Sequence, residues 1–270
     1  MATVESIRTI LERHYPPESA EDWDSVGLIC GDPDASVTTA LFALDPTIDV
    51  VYEAIEVGAQ LIVTHHPLFL SGVDNVARDT VGGKVVHDAI AHGIAIYNAH
   101  TNADHANPGV SDALAQSLGL IECVPLVPGQ EINTGLGRVG RLREPMTLAN
   151  FAQHVAASLP ETAAGVRIAG DLDREVSMVA VCGGSGDSLL PLAAKLADVY
   201  VTSDLKHHKV LDHPRDSCAV IDVPHFASEW PWVPMVAELV SKETQGTVSC
   251  VVSTTKTDPW TAHMYRSASQ

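Results

Sequence analysis

Residues 39–64 constrain the fold more than any other part of the chain. "TALFAL" is typical of a strand, and Asp45-Pro46 indicates a helix start with proline at the first helical position. "TIDVVYEAIEV" predicts the helix, which ends at Gly58, and "QLIVT" predicts a second strand. A strand, a helix and a strand at this spacing form a βαβ crossover with two parallel strands. The sequence therefore predicts an α/β protein.

The same alternation continues along the chain, with one interruption. "GGKVVHDAIAH" predicts a helix, "IAIYNAH" a strand, and Ser111 the cap of a short helix. The stretch from about 124 to 145 is rich in Pro and Gly, so we place a domain boundary near its start. Further helices are predicted from near Thr147, from near Asp187, and from about Phe226 to Ser241. We predict a discontinuous first α/β domain, 1–123 with 222–270, and a second α/β domain, 124–221.

Composition excludes several classes of partner. The formal net charge is −18, and such an acidic surface repels phosphate backbones and anionic membranes. The five scattered cysteines form no CxxC pair and indicate reduced thiols. The first residues predict an amphipathic helix rather than a signal peptide, and no apolar run approaches the roughly 20 residues of a membrane span. We predict a cytoplasmic protein that binds neither membrane nor nucleic acid.

Three polar clusters follow predicted strands, where catalytic groups of open α/β sheets gather. The first is His65-His66, directly after "QLIVT". Pro67 restricts His66 to an extended backbone, so both imidazoles can face one cavity. The alternative is that one is a hydrogen-bonded core histidine and the other is solvated.

The other two clusters each combine histidine with a carboxylate. "NAHTNADHANPG" places His100 four residues before Asp104, although a polar turn would use similar residues. "IDVPHFASEWPW" places His225 and Glu229 one helical turn apart, where they could also form a simple i,i+4 hydrogen bond. Imidazole and carboxylate are the ligands of Zn, Fe, Mn, Ni and Co, and a carboxylate can bridge two ions. Together the clusters predict a site for a pair of ions.

The order of these motifs resembles the NIF3-like family, also called DUF34, whose bacterial members are labelled GTP cyclohydrolase 1 type 2 homologs. The residues that carry the resemblance are "DWDSVGLICGD", "THHPLF", "AHTNAD", "VCGGSGDSLL", "DVYVTSDLKHH" and "IDVPHFASEWP". The resemblance covers nearly the whole chain. It implies a NIF3-like fold of two α/β domains with mixed sheets and a dinuclear metal site in the cleft between them. It also implies a homo-oligomer, typically a toroidal hexamer.

The resemblance also assigns roles to individual residues. It implies two divalent ions per subunit, held by the metal ligands His65, His66, Asp104, His225 and Glu229, with Glu229 as the bridge.

It further implies that His100 lines the site or supports a ligand, and this histidine could also shuttle protons as a catalytic residue. Lys206 and His208, from "DLKHH", are candidates for substrate contact or proton transfer, unless they belong to an exposed helix start. The chain departs from the family pattern at Ala103, at His207 and at Pro224, and only Pro224 could alter the approach of a ligand, His225.

Such a site favours a metal-dependent hydrolase, because paired divalent ions activate water and polarise the bond under attack. The family label suggests a nucleotide or related small molecule as substrate. "VCGGSGDS" could bind phosphate at a helix N-terminus, or could simply be a tight turn. The alternatives are a non-enzymatic protein that binds, delivers or senses metal, and a scaffold in which the ions join two parts of the chain.

Overall fold

The computed structural model describes residues 1–214 and 216–265. In these residues no helix combines the length and the apolar character of a membrane span. The chain packs as two compact units. Unit 1 comprises Met1–Val110, Gly129–Gly135 and Trp230–Thr257, and unit 2 comprises Ser111–Pro128, Leu136–Glu229 and, at the end of the described chain, residues 258–265.

Helices and strands alternate along most of the chain. The helices are α1 (Val4–His14), α2 (Ile48–Glu56), α3 (Val81–Ala91), α4 (Thr101–His105), α5 (Val110–Ser117), α6 (Leu148–Ser158), α7 (Leu190–Leu196), α8 (His207–Leu211), α9 (His225–Glu229) and α10 (Trp232–Glu243). The strands are β1 (Gly27–Cys30), β2 (Thr39–Ala43), β3 (Leu61–Thr64), β4 (Ala95–Asn98), β5 (Ile121–Pro128), β6 (Gly135–Thr147), β7 (Arg167–Ala169), β8 (Glu175–Ser185), β9 (Val199–Ser203), β10 (Ala219–Asp222) and β11 (Ser249–Val252).

Unit 1 is built on a five-stranded sheet in the order β1-β4-β3-β2-β11. Strand β3 is parallel to both β2 and β4, β11 is parallel to β2, and β1 is antiparallel to β4. The predicted βαβ crossover from β2 through α2 to β3 is therefore confirmed. Its helix buries Val50, Val51 and Ala54 in one cluster with Leu41 and Ile62 of the strands, so the apolar stripe of α2 forms part of the unit's core.

Unit 2 is built on a six-stranded sheet in the order β5-β6-β8-β9-β10-β7. Strands β8, β9 and β10 are parallel, whereas β6 and β7 run antiparallel to their neighbours β8 and β10. Both sheets are thus mixed, as predicted. The Pro- and Gly-rich stretch from 124 to 145 belongs to two neighbouring strands, β5 and β6, and the turn that joins them.

Several predicted helix boundaries were wrong. Helix α2 is capped by Thr47, whose hydroxyl accepts the Val50 N–H, so Asp45-Pro46 precedes the helix. Ser111 lies inside α5, and α7 begins at Leu190 rather than near Asp187. The predicted cap Thr147 is confirmed, since its side chain accepts the Asn150 N–H.

The predicted helix from Phe226 to Ser241 is two helices. Helix α9 ends at Glu229 and α10 begins at Trp232, with Pro231 between them. Proline has no N–H to donate, and its ring clashes with the carbonyl one turn earlier, so a continuous helix breaks before it.

The boundaries of the two compact units differ from those of the predicted domains. Residues 111–123 and 222–229 were predicted for the first domain and belong to unit 2. Leu114 of α5 and Leu118, which directly follows that helix, lie in the core of unit 2, together with Ala227 of α9. Helix α9 also packs against β8 and β9. The chain therefore leaves the core of unit 2 only after α9.

Candidate metal centre

In unit 1, three parallel strands end in register and place three histidines together. Ala43 of β2 pairs with Thr64 of β3, and Thr64 pairs with Asn98 of β4. His65 and His66 follow β3 directly, and His100 follows β4 by two residues. Because parallel strands present their carboxyl ends at one edge, the three imidazoles meet there.

The three rings are close enough to share a metal ion. Their centroids are separated by 5.0 Å between His65 and His66, 5.2 Å between His65 and His100, and 5.5 Å between His66 and His100. One ring nitrogen from each lies within 4.8 Å of the others. The prediction that His65 and His66 face one cavity agrees with this geometry. His100, predicted to line the site, support a ligand or shuttle protons, lies within the same cluster.

The orientation of His65 fixes its tautomer. The Nδ1–H donates a hydrogen bond of 2.9 Å to the backbone carbonyl of Ala99, which can only accept. The neutral ring therefore carries its lone pair on Nε2, the atom a metal would use. The side chain is fully buried, and the Trp232 ring lies 5.3 Å away, centroid to centroid.

His66 and His100 are oriented in the same way by carboxylates. The Nδ1–H of His66 donates to Asp45 Oδ1 at 2.6 Å, and that of His100 donates to Asp24 Oδ1 at 2.8 Å. A hydrogen bond from the second ring nitrogen to a carboxylate or carbonyl is typical of metal-binding histidines. The donor set in unit 1 thus fits a divalent transition metal, and in each of the three rings Nε2 is the nitrogen that could bind it.

Electrostatics favour the neutral imidazole at His100. Burial lowers the pKa of this ring, and the neighbouring His65 lowers it further, against the opposing effect of Asp24. Burial tends to raise the pKa of Asp24, but hydrogen bonds from His100 and Thr101 outweigh it and lower that pKa overall. A neutral imidazole beside an ionised carboxylate is the state that metal binding requires.

Asp104, a predicted ligand, lies beside the same cluster. It belongs to the short helix α4, and its Oδ1 is 3.8 Å from Nε2 of His65. The next residue, His105, instead contacts Glu21, with Nε2 at 3.1 Å from Oε1. Unit 1 therefore contains the predicted ligands His65, His66 and Asp104.

Unit 2 contains the other two predicted ligands, His225 and Glu229, at the two ends of α9. Nε2 of His225 is 3.0 Å from Oε2 of Glu229, which confirms that they share a helix face. The Nδ1–H of His225 donates to Asp204 Oδ2 at 2.6 Å, so this ring too is oriented by a carboxylate. Asp204 has a φ of +55°, a left-handed conformation that is uncommon outside glycine and recurs at functional sites.

The glycine-rich motif "VCGGSGDS" packs directly against this pair. A Cβ added to Gly184 would lie 2.2 Å from Glu229 Oε1 and 3.4 Å from Cε1 of His225. The Gly184 N–H donates to Ser228 Oγ at 2.9 Å. Gly184 also has a φ of +65°, so close approach and backbone conformation both require glycine here. Phosphate binding by this motif stays a prediction.

Lys206 and His208, the predicted substrate-contact residues, lie at the start of α8 in unit 2. Lys206 is 77% exposed, and its Nζ is 3.2 Å from Asp187 Oδ2 in the glycine-rich motif. His208 is exposed, and its ring centroid lies 5.2 Å from that of His207. Lys206 and His208 belong to the same unit as His225, and their roles stay predictions.

The carboxylates that orient the histidines, Asp24, Asp45 and Asp204, were not predicted from the sequence. Two of them could have been found, because Asp45 follows β2 and Asp204 follows β9, the same positional rule that identified the histidines. Asp45 was instead interpreted as a helix start. Asp24 lies 76 residues before its partner His100, and only the folded chain reveals that pair.

Comparisons with known proteins agree with this architecture. The family model of Duf34/NIF3 (NGG1p interacting factor 3) matches residues 2–259. A Streptomyces coelicolor protein named GTP cyclohydrolase 1 type 2 homolog is 46% identical, over 98% of this chain and 95% of its own length. A Mycobacterium tuberculosis protein of the same name is 35% identical, over 93% of this chain and 94% of its own.

Solved structures show the same fold. A Bacillus cereus protein related to NIF3 superposes with a TM-score of 0.88 at 27% identity, and a Staphylococcus aureus protein does so with a TM-score of 0.88 at 29% identity. Each covers 97% of this chain and 99% of its own. The chain therefore belongs to the Duf34/NIF3 (NGG1p interacting factor 3) family.

Proposed function

We propose that this protein binds two divalent metal ions per chain and hydrolyses a nucleotide or a related small molecule. The observation that carries the proposal is the shared orientation of its histidines. His65, His66, His100 and His225 each donate from Nδ1 to a backbone or carboxylate oxygen, so each neutral ring carries its lone pair on Nε2. In His65, His66 and His225 this atom is proposed to bind metal, and in His100 it is proposed to accept a proton. Histidines that served only as structural hydrogen-bond donors would not all need to donate from the same ring nitrogen.

The proposed ligand set is the one inferred from the sequence: His65, His66, Asp104, His225 and Glu229. Imidazole nitrogen and carboxylate oxygen suit Fe, Zn, Mn, Ni and Co alike. When bound, such ions act as Lewis acids and generate a nucleophile from water near neutral pH.

Three further residues are proposed to act on the substrate. His100 has a lowered pKa and is neutral at pH 7, so it can accept a proton as a general base. Lys206 and His208 are exposed and can donate hydrogen bonds or protons to an anionic substrate. The name of the relatives, GTP cyclohydrolase 1 type 2 homolog, supports a nucleotide as the substrate class.

Metal content tests the site. Elemental analysis of protein purified without chelator should find about two transition-metal ions per chain in the wild type. His66→Ala and Glu229→Gln should each lower that number, because each removes one ligand. His105→Ala is the matched control, since this histidine contacts Glu21 and is outside the ligand set. A metal-free wild type whose melting temperature is unchanged by added Zn²⁺, Mn²⁺ or Fe²⁺ would contradict the proposal.

Turnover distinguishes the hydrolase from its alternatives. The metal-loaded protein should hydrolyse at least one member of a panel of nucleotides, phosphodiesters and cyclic amides, and Glu229→Gln should abolish this with the fold intact. Readily exchangeable metal without turnover would instead favour a metal-delivery protein.

We also propose a cytoplasmic homo-oligomer, a hexameric ring. The resemblance to the family supports the oligomer, and the acidic composition with reduced thiols supports the compartment. Light scattering coupled to gel filtration should give a mass near six times 28.6 kDa. A monomer at micromolar concentration would contradict the hexamer and leave the metal site unaffected.

A further inference from the structure

An exposed tryptophan lies beside the histidine cluster of unit 1. Trp23 is 58% exposed, and its ring centroid is 6.1 Å from that of His100, with the rings at 81°. Large apolar rings at the surface are informative when they adjoin a polar site, because aromatic side chains there supply much of the contact energy for ligands. Neither the metal ligands nor the proton-transfer residues account for this ring.

The exposure of Trp23 is not the result of a loosely held segment. The Asp24 N–H donates to Glu21 O at 2.9 Å, which closes a turn with Trp23 inside it. The Asp24 side chain is fully buried and accepts from His100 at 2.8 Å and from the Thr101 N–H at 3.0 Å. The Glu21 N–H donates to Thr101 Oγ1 at 2.9 Å. Both sides of Trp23 are therefore tied to the start of α4.

This arrangement orders the Trp23 indole before any ligand binds, so binding against it costs little further conformational entropy. A ring that is already ordered loses less conformational freedom when a ligand binds against it. The Asp24 carboxylate orients His100 and also accepts the Thr101 N–H, which ties the turn to α4. The position of the indole is consequently coupled to that of the histidine cluster.

We propose that Trp23 is the stacking surface for a planar heteroaromatic ring, such as a nucleobase, in the ligand whose remainder reaches the histidine cluster. The inference rests on the proposed function for the class of ligand. Stacking of a base on an aromatic side chain does not depend on charge, and it accepts any base because every base has a π-face. In a chain with a net charge of −18, such a contact attracts the neutral part of an otherwise anionic molecule.

The experiment measures the affinity of the protein, as purified, for two probes. GMP and ribose 5-phosphate share the sugar and the phosphate, and only GMP carries a base. Titration calorimetry on the wild type should give a Kd for GMP at least about tenfold lower than for ribose 5-phosphate. Trp23→Leu should remove most of that difference and leave the Kd for ribose 5-phosphate unchanged, whereas Trp23→Phe should retain most of it. Tyr52→Leu, which removes an exposed ring packed near Lys84, is the control and should match the wild type.

A second measurement uses the fluorescence of the Trp23 indole in the wild-type protein. Saturating GMP should quench the indole fluorescence of the wild type, and this quenching should be absent from Trp23→Phe. Equal affinity of the wild type for both probes would overturn the inference, and so would a Trp23→Leu variant that still prefers GMP. A parallel loss of affinity for both probes in Trp23→Leu would also overturn it, because that would indicate a structural role.

Metal analysis of the same samples keeps the two proposals apart. A wild type that retains its metal but binds both probes equally contradicts the stacking role alone. A wild type without metal that prefers GMP through Trp23 contradicts the hydrolase and supports the stacking role.

Discussion

Glu53 provides a quantitative test of how unit 1 holds its C-terminal segment. This residue of α2 accepts hydrogen bonds from Ser253 Oγ at 2.5 Å, from the Thr254 N–H at 2.7 Å and Oγ1 at 2.9 Å, and from the Thr255 N–H at 3.3 Å. Burial tends to raise the pKa of Glu53, but these donors outweigh it and lower the pKa from 4.5 to about 2.

The shift converts to a free energy of unfolding that depends on pH. A difference of 4.5 − 2 = 2.5 pKa units, at about 1.36 kcal/mol each, gives about 3 kcal/mol as an upper value for a partly exposed group. Because the folded-state pKa is the lower one, the ionised carboxylate stabilises the fold above pH 4.5. This contribution decreases as the pH falls and is lost near pH 2.

We expect Glu53→Gln to lower the free energy of unfolding at pH 7 by about 1–3 kcal/mol, because the amide has no charge and directs its own donors at the N–H groups. The loss should shrink steadily between pH 5 and pH 2. Urea unfolding of chelator-treated protein across this range measures it. Glu56→Gln, an exposed residue of the same helix, is the control and should change stability by less than about 0.5 kcal/mol. A Glu53→Gln protein as stable as the wild type at pH 7, or a deficit that is constant with pH, would refute the reasoning.

Two further predictions concern the supports of the candidate site. Gly184→Ala should destabilise the protein by clearly more than Gly58→Ala, because both glycines have a positive φ near 66° but only the new Cβ at Gly184 meets Glu229. Urea unfolding compares the two variants, and equal losses of stability would contradict the contact. Asp45→Asn should weaken metal binding about 10- to 100-fold with little loss of stability, because it weakens the acceptor that orients His66. Competition with a chromogenic chelator measures the metal affinity, and an unchanged value would count against the role of Asp45.

The sequence was sufficient to predict the local units of the fold. The apolar strands and the amphipathic α2 are encoded by neighbouring residues, so periodicity identified β2, α2 and β3 with their parallel pairing. The position of His65 and His66 at the end of β3 followed from the same pattern. The break between α9 and α10 was also encoded locally, by Pro231, and was missed because the apolar pattern continues across it.

The supports of the site could not be predicted in the same way. The pairs Asp24–His100 and Asp204–His225 join residues 76 and 21 positions apart, and their contact depends on how strands order themselves in a sheet. Residues 222–229 were assigned to the first domain because motif order alone does not reveal which core a short helix packs against. Long-range packing decides that, and Ala227 lies in the core of unit 2.

The strand order of unit 1 has a consequence for biosynthesis. Strand β11 pairs with β2, and Ser249 lies 206 positions after Ala43. At a ribosomal rate of roughly 5–20 residues per second, β2 emerges on the order of 10 to 40 s before its last neighbour. During that interval its outer edge is open to pairing with other nascent chains, a known route to aggregation. A stop codon shortly before Ser249 would make this exposure permanent, so C-terminal truncation should reduce the yield of dissolved protein out of proportion to the few residues removed.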